Sequence, residues 1–186
     1  GLDFDDVQLV GIFDADKVLN YPDFRAAEKT FQLIIQVSGR AGRRKEPGQV
    51  VIQVSNPNHP AIQNAITHNY HNFYENELRD RQRFRYPPFS KIIKLVIKHE
   101  DKLLSEKAAE HIYKLLATRI SKKLVLGPEE PMINKIRNKF LFDIYIKIEK
   151  GTSLSDVKFF IQNVINRTWT KQQFKKVNIT IDVDPM

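Results

Sequence analysis

A chain of 186 residues, 41% hydrophobic and 28% charged, is long enough for one large core or two small ones, since domains commonly hold about 100 to 150 residues. The absence of cysteine excludes disulfides and thiolate-bound metal within it, and is compatible with a reducing cytoplasm. No apolar run reaches about 18 residues and no signal-peptide pattern is present, so the sequence offers no membrane span.

Val7-Gln8-Leu9-Val10-Gly11-Ile12-Phe13 is nearly continuous apolar sequence closed by an acidic turn, the pattern of a strand buried on both faces of a parallel sheet. Gln49 to Val54 repeats it. Between them Phe24, Ala27, Phe31, Ile34 and Ile35 recur at helical spacing, supplying the crossover that parallel strands require. Ile62, Ile66, Tyr70, Phe73 and Leu78 extend one helical pattern from Pro60 to Arg85, which Pro87-Pro88 should stop.

Beyond that boundary Ile93, Leu95 and Ile97 alternate with Lys94, Val96 and Lys98, as in a half-buried strand. Leu104, Ala108, Ile112 and Leu115 mark an amphipathic helix, and a short strand is expected around Val125. Phe140, Phe142, Ile144, Ile146 and Ile148 line one face of a long strand, opposite Leu141, Asp143, Tyr145, Lys147 and Glu149. Ser153 and Asp156 read as a capping box for a helix carrying Val157, Phe160, Ile161 and Val164 inward. Val177, Ile179, Ile181 and Val183 alternate in a last strand.

The order is then β-α-β-β-α-β, which suits a ferredoxin-like sandwich with two helices on one face of an antiparallel sheet and the other face free. Two domains follow, residues 1–86 and 87–186. Charge divides along nearly the same line: residues 1–75 carry net −2 and residues 76–186 net +10. Such asymmetry points to a polyanionic partner for the second half, because each neutralised phosphate releases condensed counterions.

Chemistry concentrates in Gln36-Val37-Ser38-Gly39-Arg40-Ala41-Gly42-Arg43. Arg40 and Arg43 bring permanent planar donors that match phosphate oxygens, and Gly39 and Gly42 remove side chains that would hold a ligand off the backbone. No glycine opens a P-loop, so these arginines are expected to act on a nucleotide held mainly by another lobe, and this chain alone should not hydrolyse ATP. Asp14 and Asp16 are more simply a strand-ending acidic turn than a Mg²⁺ site, His68 and His71 lack a third ligand, and no metal is expected in this stretch. Lys135, Arg137 and Lys139 form a basic loop ahead of the long strand, suited to following a phosphate backbone. Arg79, Arg81, Arg83 and Arg85 make a second basic row, equally readable as the wet face of a linker. Trp169, beside Lys171, Lys175 and Lys176, suits sealing the core at least as well as stacking a base.

The octet resembles motif VI of superfamily 2 helicases, and Gly1-Leu2-Asp3-Phe4-Asp5-Asp6-Val7 is similar to the tail of their motif V. Asp14-Ala15-Asp16, Asp23 to Glu28, Arg85-Tyr86-Pro87-Pro88-Phe89, Leu126-Gly127-Pro128 and Ile181 to Pro185 follow in the order of the PriA family of primosomal replication-restart helicases. That resemblance implies part of a RecA-like helicase lobe 2 over residues 1–86, then a small α/β module that binds branched or single-stranded DNA.

By it Gln36 would position the hydrolytic water or γ phosphate, Arg40 and Arg43 would contact that phosphate, and Gly1 and Asp3 would couple nucleotide state to DNA grip. It further implies ATP with Mg²⁺, single-stranded-DNA-binding protein and other primosome proteins as partners, a bacterial cytoplasmic setting, and zinc in a cysteine-rich insertion ahead of this stretch. Leu141 stands where many relatives have arginine, a departure that weakens transfer of individual contacts. Two rival readings remain: a non-catalytic RNA-binding module, against which the core-directed Phe140 and Phe142 count, and a protein-docking domain engaging acidic peptides.

Overall fold

The computed structural model describes residues 7–41 and 48–185. It divides into two compact units, Gly1–Phe84 and Arg85–Met186.

In the first unit β1 (Leu9–Ile12) pairs in parallel with β2 (Gln49–Ile52), Leu9 opposite Gln49 and Ile12 opposite Ile52. Between them lie α1 (Ala15–Leu19) and α2 (Ala26–Ser38). Asp23 sets the start of α2: its carboxylate accepts the Arg25 amide at 2.9 Å and the Lys29 ammonium at 2.6 Å, and its carbonyl accepts the Ala26 N–H. The helix turns Phe31 and Ile34 into a core shared with Ile12, Ala15, Ala61, Ile62, Ala65 and Phe73, where Phe31 and Phe73 stack at 4.2 Å.

Burial on both faces of the strands, expected from their apolar runs, is not what the unit shows. Leu9, Phe13 and Val51 are 62%, 84% and 58% exposed, because two strands with helices on one side cover only one face. The single helix expected from Pro60 to Arg85 is likewise two, α3 (Pro60–Ile66) and α4 (Tyr70–Arg83). His68 takes the left-handed region at φ 52°, and Asn69 begins a new helix by accepting the Asn72 N–H at 3.1 Å. An asparagine cap restarts the helix where apolar spacing alone reads straight through.

The second unit is built on β3 (Ser90–His99), α5 (Lys102–Leu116), β4 (Val125–Glu129), β5 (Lys135–Ile136), β6 (Lys139–Glu149), α6 (Leu154–Trp169), a 3₁₀ turn at Gln172–Phe174 and β7 (Asn178–Val183). Its antiparallel strands run in the order β4-β6-β3-β7, with β5 paired to β6. The short β5 is an addition to the strands legible in the sequence. The α5 cap is Asp101, which accepts the Leu104 N–H at 3.1 Å; Ser153 caps α6 by accepting from Asp156 at 3.3 Å. Both fill donors that the first helical turn leaves open.

Ile93, Leu95, Ile97, Phe142, Ile144, Ile146 and Ile148 form the inner sheet face, closed by Ala108, Ala109, Ile112 and Leu116 of α5 and Ile161, Val164 and Ile165 of α6. The opposite face is not the free surface that alternation suggests: Ile92, Leu141, Asp143 and Lys147 on it are 3%, 6%, 1% and 8% exposed. The Lys147 ammonium lies 3.7 Å from the centroid of the Tyr86 ring. Trp169 donates from Nε1 to the Val177 carbonyl at 2.9 Å, which fastens the end of α6 to the approach of β7.

β4 crosses β6 with a register shift between Leu126 and Glu129, where Gly127 sits at φ +99°. A Cβ there would lie 2.5 Å from the Asp143 carbonyl oxygen and meet φ values an L side chain resists. Gly127→Ala is therefore expected to destabilise the protein by more than about 2 kcal/mol, read as a lowered urea midpoint at unchanged slope.

Candidate functional site

The octet begins in the last turns of α2 and leaves the helix at its C-cap. Gln36 is exposed on the helix, Gly39 caps it and Arg40 follows half-buried in the succeeding turn. Ser38 donates to the Ile34 carbonyl at 2.7 Å, and the Gly39 and Arg40 amides donate to the Ile35 and Val37 carbonyls at 3.1 and 3.0 Å. Residues Gly1, Asp3, Gly42 and Arg43 lie outside the described residues. The structure thus brings Gln36, Gly39 and Arg40 together at one helix end.

Nothing in the backbone demands glycine at position 39. Its φ is −67°, and an added Cβ would meet the Ile35 and Gln36 carbonyl oxygens at 3.6 and 3.8 Å, ordinary contacts.

Acidic and imidazole residues near this unit find structural partners. Asp16 accepts the Ser55 amide at 2.7 Å and its hydroxyl at 2.9 Å, tying α1 to the segment after β2. His71 Nε2 lies 3.2 Å from Glu75. Among the described residues no group of three or more His, Asp or Glu side chains is placed to hold a metal.

The row of arginines separates by role. Arg81 bonds the Glu28 carboxylate at 2.6 Å and lies 5.2 Å from the centroid of the Phe24 ring, so it joins α4 to the start of α2. Arg79 pairs Glu75 at 3.8 Å along its own helix, and Arg85 pairs Glu149 at 2.6 Å. Burial lifts the Glu77 carboxyl above its ordinary range, partly offset by the neighbouring Arg81 charge. Arg79, Arg81 and Arg85 are engaged in ion pairs.

The basic segment before the long strand is a hairpin rather than a loop. Lys135 pairs with Phe140 and Ile136 with Lys139, leaving Arg137 and Asn138 as a two-residue turn at φ 48° and 62°. Two consecutive left-handed residues are the signature of the type I′ turn, whose twist matches that of the flanking strands. Asn tolerates this region; Arg does so at a cost of about 1 kcal/mol. Arg137 is exposed at the apex, and the Lys135 ammonium sits 4.6 Å from the centroid of the Phe140 ring. The turn chemistry was hidden because Arg-Asn is not among the residue pairs that announce such a hairpin.

One polar pair escaped the sequence reading. Asp143 of β6 is 1% exposed and receives the Lys94 ammonium at 2.7 Å, a diagonal contact across the β3–β6 ladder. Burial alone pulls Lys94 down, yet the hydrogen bond and charge of Asp143 carry its pKa above the ordinary lysine value. Lys94 also lies 5.2 Å from the centroid of the half-buried Tyr145 ring. This occupies the one outward aromatic that base stacking on the sheet would use, and Phe142 is 5% exposed in the core. A sheet-face RNA-binding module is not favoured.

Comparison with known proteins bears on the whole chain. The family described as the C-terminal domain of primosomal protein N matches residues 82–186, and the chain carries that domain. Along its full length it is similar to replication restart protein PriA of Bacillus subtilis (strain 168), 38% identical over 186 residues. It is also 38% identical to replication restart protein PriA of Synechocystis and 31% identical to that of Borreliella burgdorferi, again over 100% of this chain. The chain belongs to the PriA family of replication restart proteins. It spans 23%, 22% and 27% of the length of these three curated relatives.

Breaking a buried ion pair from one side strands the other charge, at a cost of about 3 to 5 kcal/mol, whereas removing both is far milder. Lys94→Met should therefore lower the thermal midpoint sharply, and Lys94→Met with Asp143→Leu should recover most of the loss. Because the folded pKa of Lys94 is raised, its contribution is full below the unfolded lysine value of about 10.4 and disappears as pH climbs through the folded one.

Proposed function

We propose that this chain serves a DNA-dependent ATPase of replication restart, its first unit completing a nucleotide cleft and its second gripping forked or single-stranded DNA. The observation that carries the reading is 38% identity to a replication restart protein over every residue of the chain. The parallel β1–β2 pair with α2 between them is consistent with part of a RecA-like lobe. The strand order β4-β6-β3-β7, with α5 and α6 packed on one face, supports a ferredoxin-like sandwich for the second unit.

In this reading Gln36, Arg40 and Arg43 face the γ phosphate of an ATP held with Mg²⁺ by another lobe, and Gly39 and Gly42 let that ligand approach the helix end. Such arginines stabilise charge that builds on the phosphoryl group during transfer. Gly1 and Asp3 would link that state to DNA. Lys135, Arg137 and Lys139 supply phosphate contacts from a preformed turn, which loses less freedom on binding than a disordered loop. Zinc belongs to a separate cysteine-rich insertion of the full-length protein. Single-stranded-DNA-binding protein and other primosome proteins are the expected partners, in the bacterial cytoplasm.

Steady-state kinetics on the full-length protein test the first unit. Arg40→Ala should cut DNA-stimulated ATP turnover by on the order of a thousandfold, and Arg40→Lys should not restore it. Gly39→Ala, at a φ that alanine accepts, should leave stability equal or raised by up to about 1 kcal/mol while still lowering turnover. For the second unit, Arg137→Ala with Lys139→Ala should reduce the slope of log affinity against log salt by about 2 on duplex DNA. An unchanged slope together with weakened binding of an acidic peptide would favour the protein-docking reading instead.

A further inference from the structure

The segment between β4 and β5 has the reverse of ordinary loop chemistry. Met132 and Ile133 are 70% and 66% exposed, and Ile136 in β5 is 49% exposed. Pro131 precedes them. Aliphatic side chains so open to water each forgo burial worth about 1.5 to 3 kcal/mol, and adjacent ones make a patch rather than a scatter.

The tip is also braced. Glu130 pairs with Lys102 at the start of α5 and accepts the Asn134 side-chain amide at 3.0 Å, while the Asn134 carbonyl accepts the Leu141 amide at 2.9 Å. Residues on either side of Pro131, Met132 and Ile133 are thus pinned to α5 and β6. The hydrogen bonds of Asn134 hold a small apolar prow in place beside the hairpin turn.

Charge names the occupant. From Pro131 to Phe140 the sequence contains Lys135, Arg137 and Lys139 and no carboxylate. A patch meant for another protein's apolar face has no need of three cations around it. Phosphates beside a gap between bases supply both halves of the match, anions for the cations and flat apolar surfaces for the aliphatic tip. Intact duplex charges a few kcal/mol to open a base step, but at a branch one stacking contact is already broken.

We propose that Met132 and Ile133, with Ile136 alongside, form a wedge that enters the unstacked base step at a DNA branch while Lys135, Arg137 and Lys139 hold the adjoining phosphates. This rests on the reading of the hairpin as a DNA contact and adds to it the structure recognised.

The test uses the full-length protein and a forked DNA with 2-aminopurine either at the branch or several pairs inside an arm. Binding should raise fluorescence at the branch and leave the internal probe unchanged. Met132→Ser with Ile133→Ser should lose most of the branch signal at saturating protein, with affinity for unbranched duplex preserved. The exposure of both side chains makes a folding defect an unsuitable explanation, and Ile133→Phe, which keeps an apolar tip, should retain the signal. A branch signal at the wild-type level in the serine variant overturns the wedge, and if Arg137→Ala with Lys139→Ala still weakens duplex binding, the phosphate-contact reading survives that failure. Absence of DNA binding by the wild-type protein at low salt sinks both.

Discussion

The second unit depends on the register of β3 against β6. The two strands pair over ten residues, from Ser90 opposite Glu149 to His99 opposite Phe140. Side chains alternate with a period of two, so a slip of one residue would exchange the two faces of β6 and send Asp143 and Lys147 into the hydrocarbon packed by α5 and α6. Leu141, Asp143 and Lys147 are buried on the far face as well, so burial alone does not distinguish the faces. The Lys94–Asp143 contact at 2.7 Å adds to the distinction, since in the native register the buried carboxylate has its cation on the same face.

From that register the presentation of the hairpin follows. β6 starts at Lys139, so its first residues pair back on β5 while its centre is held by β3 and β4. The apex carrying Arg137 is therefore an extension of the most firmly held strand of the unit, and the positions of its cations are set by the ladder rather than by a flexible tether. Ser105 of α5 adds a further hold by donating to the Phe140 carbonyl at 3.2 Å. Contacts built on strands are more precisely placed than contacts on loops.

Much of this was readable from the amino acids in order. The inner face of β6, the capping of α6 by Ser153 and the α5 stripe through Ala108 and Ile112 all arise from local periodicity and cap chemistry, and appear where the sequence puts them. What escaped notice depends on pairing across distance or on a single backbone angle. His68 and Asn69 divide one apparent helix because a left-handed residue followed by a side-chain cap outweighs continuous apolar spacing. Asp143 looked like a solvated strand residue until Lys94, 49 positions away, took its place beside it. The octet stands out in the sequence as arginines spaced by glycines, yet which of its groups sit together at the end of α2 is a property of the folded helix.

Two positions show the chain departing from what its own fold asks. At Gly39 the backbone lies where any residue is comfortable, but the sequence withholds a side chain. At Arg137 the backbone lies in the left-handed region that glycine or asparagine occupies at less cost, but the sequence supplies the longest cation available. Folding alone would favour the opposite choice at each site: alanine to strengthen the helix end, and glycine or asparagine to relax the turn. Local conflicts of this kind persist where something outside the fold benefits from them. One removes bulk from a helix end flanked by Gln36 and Arg40, and the other places charge at an apex beside Lys135 and Lys139. Neither choice contributes to the stability of the unit that contains it.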